Sequence, residues 1–156
     1  MKALSIHPFY ATLIALGEKS IELRSWSTDY RGWVLICSTR AINKFERQSM
    51  VTGKAIAVAY LTEVRPYVDE TDRVPSYLFD DETFTGYSWV LDSIHPIEPI
   101  PVKGQLRLFN VDLEIEDLST SPLDYESETY PQDLFHWWLE NDHIKNLDFL
   151  NDDEAL

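Results

Sequence analysis

Three ionisable side chains follow a glycine at short spacing near the start of the chain. After Gly17, the residues Lys19, Glu22 and Arg24 lie within a stretch of six. If the stretch is a strand, Glu22 and Arg24 share one face and Lys19 takes the other, unless the turn before the strand re-aims it. A carboxylate beside a guanidinium is either a structural ion pair or half of a polar binding site. The motif alone favours the ion pair, because such pairs are common at strand edges.

The sharper hypothesis gives each of these side chains a role toward a ligand. Glu22 would accept hydrogen bonds from the exocyclic amine of a base, as carboxylates do with cytosine. Arg24 would contact a phosphate or orient Glu22. Lys19 would bind phosphate or, if desolvated, act as a base near neutral pH. The alternative for Lys19 is an ordinary surface lysine in a hairpin.

Further candidates for ligand binding flank the motif. Trp26, Tyr30 and Trp89 are predicted to be core or rim aromatics, and an exposed one would stack on bases. His7 is either a turn residue or a group at the mouth of a cleft. Ser38, at the end of a buried strand, hydrogen-bonds either a ligand or its neighbours.

A helix predicted over 41–50 directs its apolar residues inward and its charged residues, Glu46 among them, outward. The basic residues in and beside it form either a patch for a nucleic-acid backbone or an ordinary solvated surface. These residues are Arg40, Lys44, Arg47 and Lys54.

The composition predicts one globular domain in a reducing, cytoplasmic setting. Apolar residues make up 44% of the 156 residues. No apolar run approaches the roughly 18–20 residues that a membrane span needs, and the first residues do not resemble a signal peptide. The only cysteine, Cys37, lies in an apolar run and has no evident partner. The four histidines lack metal-site spacing, so we expect neither a metal nor another cofactor.

The net charge of −14 is distributed unevenly along the chain. Residues 1–65 carry a net charge of +4, residues 66–111 of −5 and residues 112–156 of −13. This acidity argues against loose, salt-driven binding of nucleic acid by the whole chain, but it leaves room for a basic cleft in the first half. An acidic tail that folded over the basic half would mimic nucleic acid.

The pattern of apolar residues predicts an α+β fold, a small mixed β-barrel of five or six strands with two or three short helices. The segment 67–85 is predicted to be a functional loop or one short helix, and 94–102, which contains three prolines, an extended edge segment. The acidic extension contains one helix at 131–141. The predicted strands are 2–6, 19–26, 33–39, 54–64, 87–93 and 106–111, and the first helix opens at 8 and ends at 17.

In this order, the segments resemble the ASCH domain, a branch of the PUA-like superfamily of small β-barrels. The resemblance is carried by Gly-x-Lys-x-x-Glu-x-Arg at 17–24, the loop Tyr30-Arg31-Gly32, the strand 87–91 and the turn Lys103-Gly104. It covers roughly residues 2–111. We therefore expect a domain over 1–111 and an acidic extension over 112–156 that packs on or near it.

The resemblance implies a cleft beside the first helix, lined by the motif, that binds single-stranded or structured RNA or a modified nucleoside. We expect a monomer or a weak dimer with no membrane contact. Binding of RNA or of a nucleotide or nucleobase is thus the favoured function.

The alternative implied by the resemblance is a hydrolase of N-acylated nucleosides or of RNA with Lys19 as general base. Small family members are similar to amidohydrolases that cleave N4-acetylcytidine, in which the motif lysine works with a threonine three residues later and with an acid from a later segment. Here Glu22 stands at the threonine position, so a hydroxyl nucleophile is missing. We choose Glu82 as the later acid from its segment with Asp80 and Asp81, and Glu63 is the second choice.

Overall fold

A six-stranded mixed sheet forms the body of the protein. The computed structural model describes residues 1–41 and 43–119, without the side chain of Phe45. The strands are β1 (Lys2–Ile6), β2 (Ile21–Arg24), β3 (Gly32–Ser38), β4 (Lys54–Pro66), β5 (Tyr87–Pro101) and β6 (Leu108–Asn110). The helices are α1 (Pro8–Ala15), α2 (Lys44–Ser49) and α3 (Asp69–Ser76), and a 3₁₀ turn spans Ile115–Asp117. The predicted α+β fold with six strands and short helices is confirmed.

The sheet curls into a half-barrel. Its strand order is β2-β5-β4-β3-β1-β6, with β1 and β3 parallel and the other pairs antiparallel. Three strands separate β2 from β1, so in a flat sheet the two would lie about 19 Å apart. Nevertheless, Nη2 of Arg24 on β2 donates to the carbonyl of Ser5 on β1 at 2.7 Å. This contact joins the two sides of the curl, and the motif lies where they meet.

Helix α1 fills the concave face of the sheet. Every one of its residues is buried, and Pro8 occupies its first turn, where a missing N–H leaves no intrahelical bond unmade. The helix ends in a Schellman motif, in which Gly17 donates to the carbonyl of Ile14 and Glu18 to that of Leu13. Gly17 has a φ of +76°, a conformation that glycine adopts without steric penalty. The glycine of the motif therefore turns the chain sharply from α1 toward β2.

The segments predicted as a strand over 87–93 and an edge over 94–102 form one continuous strand, β5. Its first four residues pair with β2, and beyond them β4 is the neighbour of β5 within the described chain. Pro96 and Pro99 lie in this second half. Because an edge strand has one side without a ladder, prolines without an N–H are tolerated there. The expected edge-type segment is confirmed.

Helix α3, the short helix expected within 67–85, is fixed to the sheet by one buried carboxylate. Asp72 accepts hydrogen bonds from Nη2 of Arg65 at 2.8 Å, from the hydroxyl of Ser88 at 2.8 Å and from the backbone N–H of Val68 at 2.9 Å. These contacts, with Arg65 first, hold the pKa of Asp72 well below its usual range. The loop after α3 is thereby held beside β2, and Nη2 of Arg73 binds the carbonyl of Glu82 in that loop at 2.7 Å.

The first residues of the predicted extension pack on the convex face of the sheet. The N-terminal ammonium of Met1 donates to the carbonyls of Val111 and Leu113 at 2.8 Å each, and the N–H of Glu98 donates to the carbonyl of Ser119 at 2.8 Å. Leu113 and its apolar neighbours up to residue 118 contact the outer apolar cluster. The predicted helix at 131–141 lies outside the described residues, and the boundary at 111 stays a prediction.

Across the described ranges, no helix combines the length and the apolar character that crossing a bilayer requires.

Candidate functional site

The three ionisable side chains of the motif meet beneath α1. Nζ of Lys19 lies 3.4 Å from Oε1 of Glu22, and Nη2 of Arg24 lies 3.2 Å from Oε2 of the same carboxylate. All three residues are buried: Lys19 is 1% exposed, Glu22 5% and Arg24 3%. Lys19 precedes β2, and its backbone N–H binds the carbonyl of Leu13, so the turn after Gly17 aims its side chain toward Glu22. Strict alternation along a strand would place Lys19 on the face opposite to Glu22 and Arg24. Because the turn re-aims it, Lys19 instead lies beside both.

The ammonium of Lys19 is fully engaged by the protein. It donates to the carbonyls of Ile21 and Ser76 at 2.6 Å each and faces Glu22 with its remaining proton. Burial lowers the pKa of Lys19, while the charge of Glu22 opposes that shift. In its charged form Lys19 thus ties the start of β2 to the end of α3 and has no proton left for a ligand.

The carboxylate of Glu22 is held in place but not saturated. Oε1 accepts from the N–H of Leu23 at 3.1 Å and faces Lys19, while Oε2 accepts from Arg24. An ionised carboxylate offers about four acceptor positions. Among the residues that the structure describes, three donors reach this one, so one acceptor position on Oε2 remains for a further donor.

Tyr10 and Glu82 complete the polar cluster around the motif. Nζ of Lys19 lies 5.0 Å from the ring centroid of Tyr10. Burial, and then the negative charges of Glu82 and Glu22, raise the pKa of the Tyr10 hydroxyl. Glu82, chosen from the sequence as the later acid, therefore acts on the same hydroxyl as Glu22, whereas Asp80 is exposed. Tyr10 was not predicted as a site residue, because on an apolar helix a tyrosine has the pattern of a core residue.

His7 contacts a carboxylate that the sequence did not place near it. Its Nε2 lies 3.1 Å from Oε2 of Glu46, whose side chain is 0% exposed. The prediction that Glu46 points outward from its helix is wrong. Asn43 precedes helix α2, and its side chain caps the helix by accepting from the N–H of Glu46 at 2.9 Å. This first turn presents Glu46 to His7, which precedes α1.

The two tryptophans are core residues in this structure. Trp26 and Trp89 pack edge to face with their ring centroids 4.7 Å apart, and Nε1 of Trp89 donates to the carbonyl of Trp26. Trp89 is 0% exposed, and Arg107 lies 4.9 Å above the ring of Trp26. Of the two interpretations offered by the sequence, the geometry favours core packing over base stacking.

Tyr30 shapes a loop, and Ser38 lines a cavity. The hydroxyl of Tyr30 donates to the carbonyl of Trp33 at 2.7 Å and closes over Gly32, where a Cβ atom would come within 2.8 Å of it. Tyr30 thereby shapes the loop before β3. Ser38, at the end of β3, lines a cavity of about 420 Å³ together with Ser5 of β1.

Two basic residues border this cavity. Arg40, a member of the basic patch suggested by the sequence, lines it together with Lys103, which the sequence marked as a turn residue. Lys44 and Arg47 are exposed on α2. Ser5 and Lys103 were not predicted to line a cavity with Ser38. The three residues lie far apart in the sequence, and only the folded sheet brings them together.

Within residues 1–41 and 43–119, no three His, Cys, Asp or Glu side chains are grouped as metal ligands would be.

Comparisons with known proteins found a matching family model and similar solved structures. A family model described as the ASCH domain matches residues 4–103. Among solved structures, the ASCH protein from Zymomonas mobilis is 19% identical, with a TM-score of 0.52 over 65% of this chain and 73% of that one. A Tyr-to-Phe variant of that protein matches at the same identity and TM-score over 75% of its length. At this identity the likeness shows the fold alone. No curated protein sequence matches the chain.

Proposed function

Because the chain belongs to the ASCH domain family, we propose that it binds RNA or a modified nucleotide and recognises a base through the motif. In this proposal Glu22 accepts a hydrogen bond from the exocyclic amine of the base. Arg24 and Lys19 orient Glu22, and they do not themselves contact the base.

The free acceptor position on Oε2 of Glu22 carries the proposal. A buried carboxylate held by a lysine and an arginine has acceptor orbitals with fixed directions. A base whose amine points at Oε2 would find the acceptor already positioned, and fixed polar groups lose little entropy on binding. Cytosine and adenine carry such an amine, whereas uracil presents a carbonyl in its place.

Hydrolysis of an N-acylated nucleoside or of RNA is the second candidate function. It is favoured by the lowered pKa of Lys19 and by the nearness of Glu82 to Tyr10. Against it, the ammonium of Lys19 is occupied by two backbone carbonyls and Glu22. Binding is therefore the function that the geometry supports better.

Calorimetry with cytidine, adenosine and uridine tests the recognition by Glu22. We expect the wild-type protein to prefer the two amine-bearing nucleosides by about 1–3 kcal/mol, the value of one well-placed base contact. Glu22→Gln removes the charge and should abolish this preference. Equal affinities in the wild type, or a preference that survives Glu22→Gln, would refute the proposed role.

Glu63→Gln is the matched control for this substitution. Glu63 also faces an arginine, with Oε1 3.4 Å from Nε of Arg65, but its side chain is 54% exposed on β4. It should leave the nucleoside preference unchanged. Thermal unfolding of both variants separates loss of recognition from loss of fold. Release of acetate from N4-acetylcytidine, or cleavage of RNA by the wild type but not by Lys19→Met, would favour the hydrolase instead.

A further inference from the structure

Five basic residues gather at one end of the sheet. Strand β3 ends at Ser38, which pairs with Lys54 at the start of β4, and Lys54 pairs in turn with Pro101 at the end of β5. Arg40 and Lys103 follow the ends of β3 and β5, and they line one cavity together. Helix α2 lies in the connection between β3 and β4, so it extends from the same end. We call this region the basic surface, and its members are Arg40, Lys44, Arg47, Lys54 and Lys103.

The charges of the basic surface are exposed and are not paired with acidic residues of the described chain. All five residues are exposed. Glu46, the acidic residue on α2, is 0% exposed and faces His7. Asp112 lines a groove together with Lys103, but the two make no ion pair. The ion pairs of the described chain are made by other basic residues, namely His7, Lys19, Arg24, Arg65 and Arg73.

We propose that the basic surface binds the sugar-phosphate backbone of a single-stranded RNA. Lysine and arginine side chains hold phosphate oxygens by charge-assisted hydrogen bonds, and such contacts supply a large share of the affinity for a polynucleotide. The chain carries 27 acidic and 13 basic residues, so its overall charge repels RNA. Binding therefore depends on a local surface whose positive charges are not already paired, and the basic surface has this property.

The basic surface adjoins the motif through Ser5. Nη2 of Arg24 donates both to the carbonyl of Ser5 and to Oε2 of Glu22, and Ser5 lines the cavity that Arg40 and Lys103 border. A strand whose base meets Glu22 can thus lay its neighbouring phosphates on the basic surface. The base must be unpaired to present its edge to a protein, so the partner is a single strand. This step rests on the proposed function, whereas the phosphate contacts themselves do not.

Fluorescence anisotropy of the full chain with labelled oligocytidine and oligouridine tests the basic surface. Both RNAs are about eight nucleotides long, a length that small barrel domains cover on a single strand. The slope of log K against log salt is about −0.7 for each phosphate contact on a single strand. The triple variant Arg40→Gln, Lys54→Gln and Lys103→Gln should therefore make the slope shallower by about 2. It should weaken binding of both RNAs by the same factor, because phosphate contacts carry no sequence information.

Two further variants control for the loss of charge and for the fold. Arg31→Gln removes a positive charge at an exposed position before β3, which is the opposite end of that strand, and it should leave the slope unchanged. Lys44→Gln with Lys54 intact and Arg47→Gln in the same chain repeats the test on α2, and the slope should become shallower by about 1.4. All substituted residues are exposed, so thermal unfolding of each variant should match that of the wild type.

Polyglutamate tests whether the partner is RNA or an acidic protein segment. We expect it to bind more weakly than oligouridine at the same salt concentration. If polyglutamate instead binds as tightly as oligouridine and loses affinity equally in the triple variant, the assignment to RNA is overturned. The proposal is also overturned if the wild type binds neither RNA at about 0.01 M salt, where the Debye length is about 30 Å.

The same titrations separate the basic surface from recognition of a base by Glu22. If the triple variant keeps the wild-type slope while the wild type prefers oligocytidine and Glu22→Gln loses that preference, the basic surface is refuted and base recognition stands. If the slope becomes shallower in the triple variant while the wild type binds both RNAs equally, the basic surface stands and base recognition is refuted.

Discussion

The motif residues form a buried network in which each charge depends on the others. Lys19 and Arg24 bind opposite oxygens of Glu22, and all three are nearly fully buried. Charges taken out of water are tolerated only when they are paired and hydrogen-bonded, so removing one member leaves an uncompensated charge behind. The spacing of the motif thus serves stability and also positions the carboxylate.

Replacement of Lys19 by methionine tests this interdependence. Lys19→Met removes the ammonium and leaves Glu22 and two backbone carbonyls without its protons. We expect the free energy of unfolding in urea to fall by about 3–5 kcal/mol, the range for breaking a buried ion pair from one side. Lys2→Met, at a half-buried lysine, is the control and should change it by less than about 1 kcal/mol. If the two variants were equally stable, the buried charges of Lys19, Glu22 and Arg24 would not depend on one another.

At this scale the sequence was informative where a contact is local. That Glu22 and Arg24 meet follows from their alternation on β2, and the burial of Trp89 follows from its place in a strand of apolar residues. The pairing of His7 with Glu46 joins two different helix starts, and nothing near either residue predicts it. Likewise Tyr10 becomes part of the polar cluster because the turn after α1 folds Lys19 back over its ring.

Among the helices and strands, the end of α1 sets the position in the fold from which the motif residues extend. The Schellman motif at Gly17 sets the direction in which the chain leaves the helix, and it was predictable because glycine in the left-handed region is the common helix terminator. Helix α3 was less predictable, since it contains Pro75 and only its acidic first turn marks it. Its position depends on tertiary contacts of Asp72.

Substitution of Gly17 measures the contribution of this turn. A Cβ atom at Gly17 meets no other atom within 4 Å, so backbone strain is the expected effect. Gly17→Ala should lower the free energy of unfolding by about 1 kcal/mol. Gly17→Asn should lower it less, because asparagine tolerates the left-handed conformation better. An alanine variant as stable as the wild type would show that the turn changes conformation freely.

The carboxylate of Asp72 makes the attachment of α3 dependent on pH. Arg65 and the other donors hold its folded-state pKa below the usual 3.8, so the folded protein binds fewer protons than the unfolded chain. The resulting stabilisation is complete above that value and is lost as the pH falls toward the folded-state pKa. Asp72→Asn should therefore lower the free energy of unfolding at pH 7 by about 2–3 kcal/mol.

Urea unfolding between about pH 5 and pH 2 checks the sign of this effect. The difference between wild type and Asp72→Asn should shrink steadily on acidification, since the wild-type carboxylate becomes protonated. Glu70→Gln, at an exposed position on the same helix, is the control, and its free energy of unfolding should differ little from that of the wild type at every pH. If the difference in free energy of unfolding between wild type and Asp72→Asn stays constant with pH, ionisation of the Asp72 carboxylate is not the cause of that difference.

For the whole molecule, the curl of the sheet brings residues that are distant in sequence to one region. Arg24 of β2 reaches Ser5 of β1, and Ser5 in turn borders the cavity that Ser38 and Lys103 line. The fold class was predictable from the order of apolar segments, because each has the length and period of a strand. The cavity was not, because its residues come from segments that only the curvature joins.

The uneven charge predicts an effect of the acidic tail on binding of RNA. Residues 120–156 carry ten acidic residues and one lysine, and their removal changes the net charge of the chain from −14 to −5. A cut after residue 119 keeps Leu113, which contacts Met1, and the apolar residues up to 118 that pack on the convex face; a cut after 111 would remove them. We expect residues 1–119 to bind single-stranded RNA more tightly than the full chain at low salt, because repulsion of the phosphates is reduced.

Salt and a full-length control decide whether charge is the cause. The difference in affinity should narrow as salt rises from about 0.01 M to 1 M, since the Debye length shrinks from about 30 Å to 3 Å. A full-length variant with the ten acidic residues changed to Asn or Gln retains every residue position of the tail, and it should bind RNA as the shortened chain does. If the neutralised variant instead binds as weakly as the wild type, the tail affects binding by its bulk or not at all, and its charge has no part in the binding of RNA.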